Sequence, residues 1–204
     1  LTFIATKVLI NHGLTPQEIF FYRFLIAYIG IWAISPKHLF ADNLKDELWL
    51  VAGGVFGGSL YFFTENTALG ITQASNVAFI ICTAPLLTTI LSLLFYKSEK
   101  ATKGLVYGSL LALIGVGLVV FNGSVVLKLS PVGDLLTLLA ALSWAFYSLV
   151  IKRMTGRYPT VFITRKIFFY GVLTILPAFL LHPLQPDFDV LLQPLVLSNL
   201  LFLA

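Results

Sequence analysis

Long apolar segments separated by short polar ones make up the whole sequence. A helix needs about 20 apolar residues to span a bilayer, and most of the segments approach or reach that length. They predict eight membrane-spanning helices, with the first and the last incomplete: 1–14, 16–35, 48–69, 74–96, 104–121, 135–151, 161–181 and 190–204. The polar connections are too short to hold a soluble domain.

The composition supports this interpretation. Of the 204 residues, 58% are hydrophobic and 11% are charged, whereas a soluble domain carries about 25% charged residues. The single cysteine, Cys82, lies in an apolar segment, so neither a disulfide framework nor a Cys-rich metal site is expected. Because the chain begins at Leu1 and ends at Ala204 within apolar segments, we expect it to be a fragment of a longer protein.

Basic residues concentrate in the connections that follow the second, fourth and sixth predicted helices: Lys37, Lys45, Lys97, Lys100, Lys103, Lys152, Arg153 and Arg157. Cytoplasmic loops carry an excess of Lys and Arg. These connections are therefore predicted to be cytoplasmic, and we call this end of the bundle the inner end and the opposite end the outer end. Arg165 and Lys166 are expected to anchor the seventh helix at the inner end, the alternative being that they line an inner gate.

Two stretches of the sequence resemble each other. The segment ATKVLINHGLTPQEIFFYRFLIAYIG (5–30) is similar to YSLVIKRMTGRYPTVFITRKIFFYGV (147–172). In each, a basic residue follows a loop proline by seven positions, Arg23 after Pro16 and Lys166 after Pro159. An odd number of predicted spans separates the two starts, so the copies have opposite orientations. Inverted repeats of this kind are typical of secondary transporters.

Three further segments carry a resemblance to a known family. They are 68–100, rich in small residues and Thr, with Pro85 inside and Glu99 near its end; 104–121, rich in Gly; and 130–153, similar to the opening of a second repeat. Together they resemble the EamA-like drug/metabolite transporters. The resemblance implies an all-α polytopic membrane bundle of two inverted five-helix repeats, truncated here to about seven to eight spans. Residues 1–122 would then form the first repeat, with its first span incomplete, and 130–204 the start of the second.

The resemblance also implies a function. It predicts a secondary transporter that exports small metabolites, such as amino acids or related organic solutes, across the bacterial inner membrane by alternating access, without a cofactor. The sequence has no phosphate-binding loop, zinc-protease motif or nucleophile elbow, so neither an enzyme nor ATP-driven transport is expected. The expected partners are a small solute and the lipid bilayer, not nucleic acid. A channel-like uniporter and a seven-helix receptor remain as alternatives.

Five residues are candidates for substrate binding: Glu65, Arg23, Asn76, Tyr61 and Trp144. Glu65 is the only charged residue between Glu47 and Lys97, and a carboxylate in hydrocarbon is costly unless it is paired or hydrated. At 1.5 Å per residue, Glu65 lies roughly 7 Å and Arg23 roughly 10 Å from the outer end, with Lys7 at a comparable depth. Glu65 would bind an ammonium group or a proton, and Arg23 a carboxylate. A structural ion pair is the alternative, and the resemblance gives Glu65 no family-wide role.

The remaining candidates rest on residue type and depth. Tyr61 and Trp144 are predicted to lie deep enough to line an amphipathic cavity, and Asn76 adds a polar group near the outer end of the fourth helix. The segment GGVFGG (53–58) predicts close helix packing, because small residues four apart let two backbones approach. The same packing is expected of Gly104 and Gly108, and Pro85 predicts a kink or break in the fourth helix.

Overall fold

The computed structural model describes residues 1–34, 39–96, 102–121, 130–181, 183–184 and 186–204. Within these ranges the chain is helical and forms no strand, which confirms the predicted all-α fold. The loop lysines Lys37, Lys97 and Lys100 and the motif residue Glu99 lie outside the described residues.

Twelve α-helices form in the described ranges: α1 Thr2–Asn11, α2 Pro16–Ile34, α3 Leu44–Gly54, α4 Leu60–Ile71, α5 Ala74–Ile81, α6 Ala84–Phe95, α7 Lys103–Phe121, α8 Pro131–Thr155, α9 Thr160–Ile175, α10 Ala178–Leu181, α11 Phe188–Leu191 and α12 Pro194–Leu203. Each of the eight predicted segments therefore contains helix. Four stretches are long and apolar enough to cross a bilayer on that basis alone: Pro16–Ile34, Ala74–Phe95, Pro131–Thr155 and Thr160–Leu180.

Local sequence explains where several helices begin. At the start of α2, the Thr15 amide and hydroxyl both donate to the Glu18 carboxylate, at 2.9 and 2.7 Å, and Pro16 occupies the first helical position. This reciprocal cap satisfies backbone donors that the first turn leaves open. At α3, the side chain of Asn43 accepts a hydrogen bond from the Asp46 amide at 2.8 Å, which is the usual role of Asn at a helix N-cap.

The third predicted span is not a uniform α-helix. A π-helical turn, Val55–Ser59, joins α3 to α4 and coincides with most of the glycine-rich GGVFGG segment. A Cβ added at Gly54 would overlap the Tyr170 side chain and lie 3.0 Å from the Gly171 backbone, and one at Gly57 would overlap the ring of Tyr147. The predicted close packing is confirmed here, because α8 and α9 approach the backbone of the turn directly.

The predicted packing role of Gly104 and Gly108 is wrong for the described structure. An added Cβ at either position has no described atom within 4 Å, and α7 makes its main contacts with α5 and α6. Glycine spacing alone therefore did not distinguish a close helix contact from an open helix face.

The predicted irregularity in the fourth span is confirmed. The helix stops at Ile81 and restarts at Ala84, with Pro85 in the first turn of α6. The hydroxyl of Thr83 donates to the Ile80 carbonyl at 2.7 Å and so satisfies one of the acceptors at the break.

Two long helices organise the bundle. α8 packs against α4, α5, α6 and the π-helical turn, and α9 packs against α2, α3 and the same turn. In addition, α1 packs against α12 around a buried cluster that includes Leu9, Ile19 and Val196. The π-helical turn lies where α8 and α9 both contact the third span, and the candidate site forms beside it.

Candidate functional site

Glu65 is buried in the bundle, where its carboxylate accepts a hydrogen bond from a neighbouring side chain. Its side chain is 4% exposed, and the Tyr61 hydroxyl donates to its Oε1 at 2.5 Å from one turn earlier on α4. The guanidinium of Arg23 on α2 lies close enough for its positive charge to act on both Glu65 and Tyr61. Three of the five predicted residues therefore come together on two neighbouring helices.

A cavity of about 190 Å³ lies beside this group. It lies between α2, α4, α8, α9, α12 and the π-helical turn, and its lining includes Arg23, Phe62, Trp144, Tyr147, Thr164 and Leu203. The Arg23 guanidinium stacks 4.1 Å from the centre of the Phe62 ring. The cavity thus combines one cation with aromatic walls, a composition common in small-molecule sites.

Aromatic rings separate the cavity from Glu65. The Tyr61 ring packs against Phe62 at 4.6 Å and against Trp144 at 5.0 Å between centroids. Phe62 and Trp144 line the cavity, whereas Glu65 and Tyr61 do not. We call Tyr61, Phe62 and Trp144 the aromatic layer. Its Tyr61 hydroxyl connects it with the buried carboxylate.

Asn76 is not part of this arrangement. Its side chain on α5 is 2% exposed, and its neighbour Val77 packs with Ala68 and Leu69 near the outer end of α4. Asn76 does not line the cavity that Arg23 and Trp144 share. The structure therefore buries Asn76 as predicted but does not bring it to the other four candidates.

Lys7 binds the backbone rather than the carboxylate. Its ammonium donates to the carbonyl oxygens of Leu69 and Thr72, the latter at 3.5 Å, at the C-terminal end of α4. The last carbonyls of a helix have no partner within it and carry a partial negative charge. Lys7 satisfies them, so the charge that accompanies Glu65 is that of Arg23.

The inner end holds a second set of buried charges. Lys166 is only 3% exposed; it forms an ion pair with Glu47 and donates to the Leu39 carbonyl at 2.9 Å. Tyr170 also donates to Glu47. The expectation that Lys166 merely anchors its helix at the interface is wrong, because its ammonium is enclosed and joins α9 to α3.

A neighbouring ion pair ties the α8–α9 connection to α3. Arg157 donates to the two Asp46 oxygens at 2.9 and 3.1 Å, and the Tyr158 hydroxyl donates to the same carboxylate at 3.1 Å. Burial opposes ionisation of Asp46, but hydrogen bonds from Asn43, Arg157 and Tyr158 outweigh it and hold the pKa of the carboxyl below its usual value.

Sequence reasoning singled out neither Asp46 nor Glu47. The available signal was two acidic residues in the first turn of a helix that begins at the end of the bundle where basic residues concentrate. No group of three or more His, Cys, Asp or Glu side chains suited to a metal ion occurs in the part of the chain that the structure describes.

Comparison with known proteins agrees with this fold. Residues 1–121 match the model of the EamA-like transporter family. A crystal structure with 18% sequence identity superimposes with a TM-score of 0.66, covering 98% of this chain and 70% of the other. At that identity the likeness is one of fold.

Relatives by sequence carry transporter names. The chain is 32% identical over 149 residues to an uncharacterized transporter, YdfC, of Bacillus subtilis, covering 72% of this chain and 47% of the relative. It is 26% identical to an uncharacterized transporter of Archaeoglobus fulgidus, covering 100% of this chain and 70% of the relative. The chain thus spans 47% of the first relative and 70% of the second. It is a multi-pass membrane protein and belongs to the EamA-like transporter family.

Proposed function

We propose that the protein containing this chain is a secondary transporter that exports small metabolites, such as amino acids or related organic solutes, across the bacterial plasma membrane by alternating access. The observation that carries the proposal is the cavity beside the π-helical turn. It lies inside the bundle and presents the Arg23 guanidinium together with aromatic walls. We infer transport from membership of the family, and the chemical type of the solute from the residues that line the cavity.

The arrangement favours a solute with both charges. Arg23 lines the cavity and offers N–H donors in a geometry that matches a carboxylate. The aromatic layer lies beside Arg23, whose guanidinium stacks on Phe62. Its Trp144 ring also lines the cavity, and aromatic rings attract cations. We infer that the solute carboxylate binds Arg23 and that its ammonium group lies against the aromatic layer.

The size of the cavity favours a small solute. Sites for drug-sized ligands have volumes of about 300–1,000 Å³, whereas this cavity measures about 190 Å³. Among the proposed solutes, single amino acids and comparable metabolites therefore fit better than peptides or large drugs.

Helix contacts support the proposed division into inverted repeats, 1–122 and 130–204. A two-fold axis would exchange the first, second and third spans with the sixth, seventh and eighth. That exchange turns the contact of α1 with α12 into the contact of α4 with α8, and the contact of α2 with α12 into that of α3 with α9. The contact of α2 with α9 maps onto itself, as a contact on the axis must. All five contacts are present.

A ligand screen tests the proposal. The full-length protein would be purified and its thermal unfolding followed with amino acids, nucleosides, amines and organic acids, in the wild type and in Glu65→Gln, Arg23→Gln and the control Asp189→Asn. Asp189 is an exposed acid outside the cavity. We expect a class of zwitterionic solutes to raise the melting temperature of wild type and Asp189→Asn. The same shift in Arg23→Gln and Glu65→Gln should need at least a tenfold higher solute concentration.

Three outcomes would contradict the site or the mechanism. Stabilisation that survives both Glu65→Gln and Arg23→Gln would make these charges structural. Flux without stimulation by solute on the opposite side of the membrane would instead indicate the channel-like uniporter, because only a carrier must reorient between turnovers. Binding without any flux would favour a receptor.

A further inference from the structure

A second, larger groove extends from the inner end to the π-helical turn and shares no lining residue with the cavity. It measures about 360 Å³ and runs between α3, the π-helical turn, α6 and α8, with a lining that includes Trp49, Phe56, Phe95, Phe146, Leu149 and Arg153. The rings of Phe56 and Phe146 stack at 5.3 Å, and Phe95 meets Phe146 edge to face at 6.2 Å. Because Phe95 is 63% exposed, the groove opens on the side of the bundle, where a membrane protein meets lipid.

One end of the groove is cationic. Arg153 lies in the last turn of α8, with its guanidinium 4.8 Å from the Trp49 ring. The ammonium of Lys152 lies 5.0 Å from the ring of Tyr96, another lining residue. Arg153 follows Phe146 by seven residues, which places the cation about 10 Å along the helix from the aromatic end. The groove is therefore amphipathic along its length.

Arg153 also has unused hydrogen-bonding capacity. Its Nε is buried and has no hydrogen-bond partner among the described residues. Buried polar groups are nearly always paired, so an unpaired one calls for a ligand or water. A guanidinium stacked on an indole keeps the N–H groups at its edge free for an acceptor in its own plane.

We propose that this groove binds an anionic phospholipid of the leaflet at the inner end. The headgroup phosphate accepts hydrogen bonds from Arg153, and an acyl chain lies along Phe56, Phe146 and Leu149. Charge complementarity selects an anionic lipid, because basic pockets between membrane helices on the cytoplasmic side suit such headgroups. The apolar length of the groove favours a lipid over a free phosphate, because a free phosphate has no acyl chain that could contact the three phenylalanine rings.

Quenching of Trp49 fluorescence by brominated lipid tests the proposal. The full-length protein would be reconstituted in dioleoylphosphatidylcholine with rising fractions of brominated phosphatidylglycerol or brominated phosphatidylcholine. The Trp49 signal is the difference between the wild type and Trp49→Phe. We expect brominated phosphatidylglycerol to quench this signal at a mole fraction about fivefold lower than brominated phosphatidylcholine does, since one basic residue near the membrane surface contributes a factor of that size.

Two variants distinguish lipid binding in the groove from a general attraction of anionic lipid to surface charge. Arg153→Gln should abolish the preference for phosphatidylglycerol. Lys45→Gln removes a positive charge from the exposed first turn of α3, outside the groove, and should retain it. Unfolding of both variants in phosphatidylcholine checks that they are folded.

Equal quenching by the two lipids in the wild type would overturn the proposal, and this comparison needs no charge variant to fold. A preference that persists in Arg153→Gln would also overturn it. Relief of quenching by a soluble solute would show that the groove is a solute site instead. None of these results depends on which solute the protein transports, so the lipid site and the proposed function stand or fall separately.

Discussion

Two buried charges in this protein are satisfied in different ways. Lys166 is held by protein groups on several sides: the Glu47 carboxylate, the Leu39 carbonyl and the Tyr170 hydroxyl. Glu65 has the hydroxyl of Tyr61 and the nearby charge of Arg23, which itself lines a cavity. Lys166 is therefore enclosed by protein partners that join two helices, whereas Arg23 lies open to a cavity, which is the difference on which the proposed solute site depends.

The hydrogen bond from Tyr61 to Glu65 can be tested by removing one oxygen. Tyr61→Phe leaves a buried carboxylate without its donor, a loss that costs about 1–3 kcal/mol. We expect the melting temperature of the purified protein to fall by several degrees. The matched change Tyr28→Phe, at a ring that contacts Phe169, should leave it within a degree. Equal melting temperatures for the two variants would show that Glu65 does not depend on Tyr61.

At the scale of residues, the sequence identified the charged residues Arg23 and Glu65, but it did not identify the residue with which Lys166 pairs. Arg23 and Glu65 stood out because each interrupts an apolar segment, and counting residues from the helix ends placed them at similar depths. The pairing of Lys166 with Glu47 joins residues more than one hundred positions apart. Such a contact depends on how α3 crosses α9, which hydrophobic periodicity does not specify.

At the scale of elements, the π-helical turn is the feature that shapes the site. π-helical turns are rare and occur frequently at functional sites. Here the turn places Gly54 against α9 and Gly57 against Tyr147 on α8, and Gly57 itself lines the cavity. The sequence indicated close packing at GGVFGG but not the change in helix type, because the same glycines are compatible with a regular helix.

A pair of glycine substitutions tests the importance of this contact. In Gly54→Ala the added methyl group overlaps Tyr170 and presses on the Gly171 backbone, which has little freedom to move. We expect a loss of about 1–3 kcal/mol in the free energy of unfolding, the usual cost of overpacking. Gly108→Ala adds the same methyl group to α7 where no described atom lies within 4 Å, so it should cost no stability and gain the small helix preference of Ala over Gly. Comparable losses in both variants would contradict the packing account.

At the scale of the whole molecule, the order of apolar segments predicted the helices, and the positive charges predicted an orientation. All eight segments contain helix where the structure describes them. The packing of those helices is known only from the structure, since the pattern of apolar residues does not predict that α8 packs on α4 or that α1 packs on α12. The weak internal repeat, 5–30 and 147–172, gave the single hint of a two-fold relation.

Cysteine labelling in cells tests the orientation. In a background lacking Cys82, Gln73→Cys would mark the connection between α4 and α5, and Gly156→Cys the connection between α8 and α9, both at exposed positions. Basic loops stay in the cytoplasm. A membrane-impermeant maleimide should therefore label residue 73 in intact cells, and should label residue 156 only after the cells have been permeabilised. The reverse pattern would invert the predicted topology.

The most direct test of the account is counterflow in proteoliposomes. Vesicles containing the full-length protein would be loaded with an unlabelled solute identified by the ligand screen, and uptake of the labelled solute would be measured for wild type, Arg23→Gln and the exposed control Asp189→Asn. We expect transient accumulation driven by the internal solute in wild type and Asp189→Asn, and accumulation reduced at least tenfold in Arg23→Gln. Undiminished counterflow in Arg23→Gln would contradict the assignment of the cavity as the solute site.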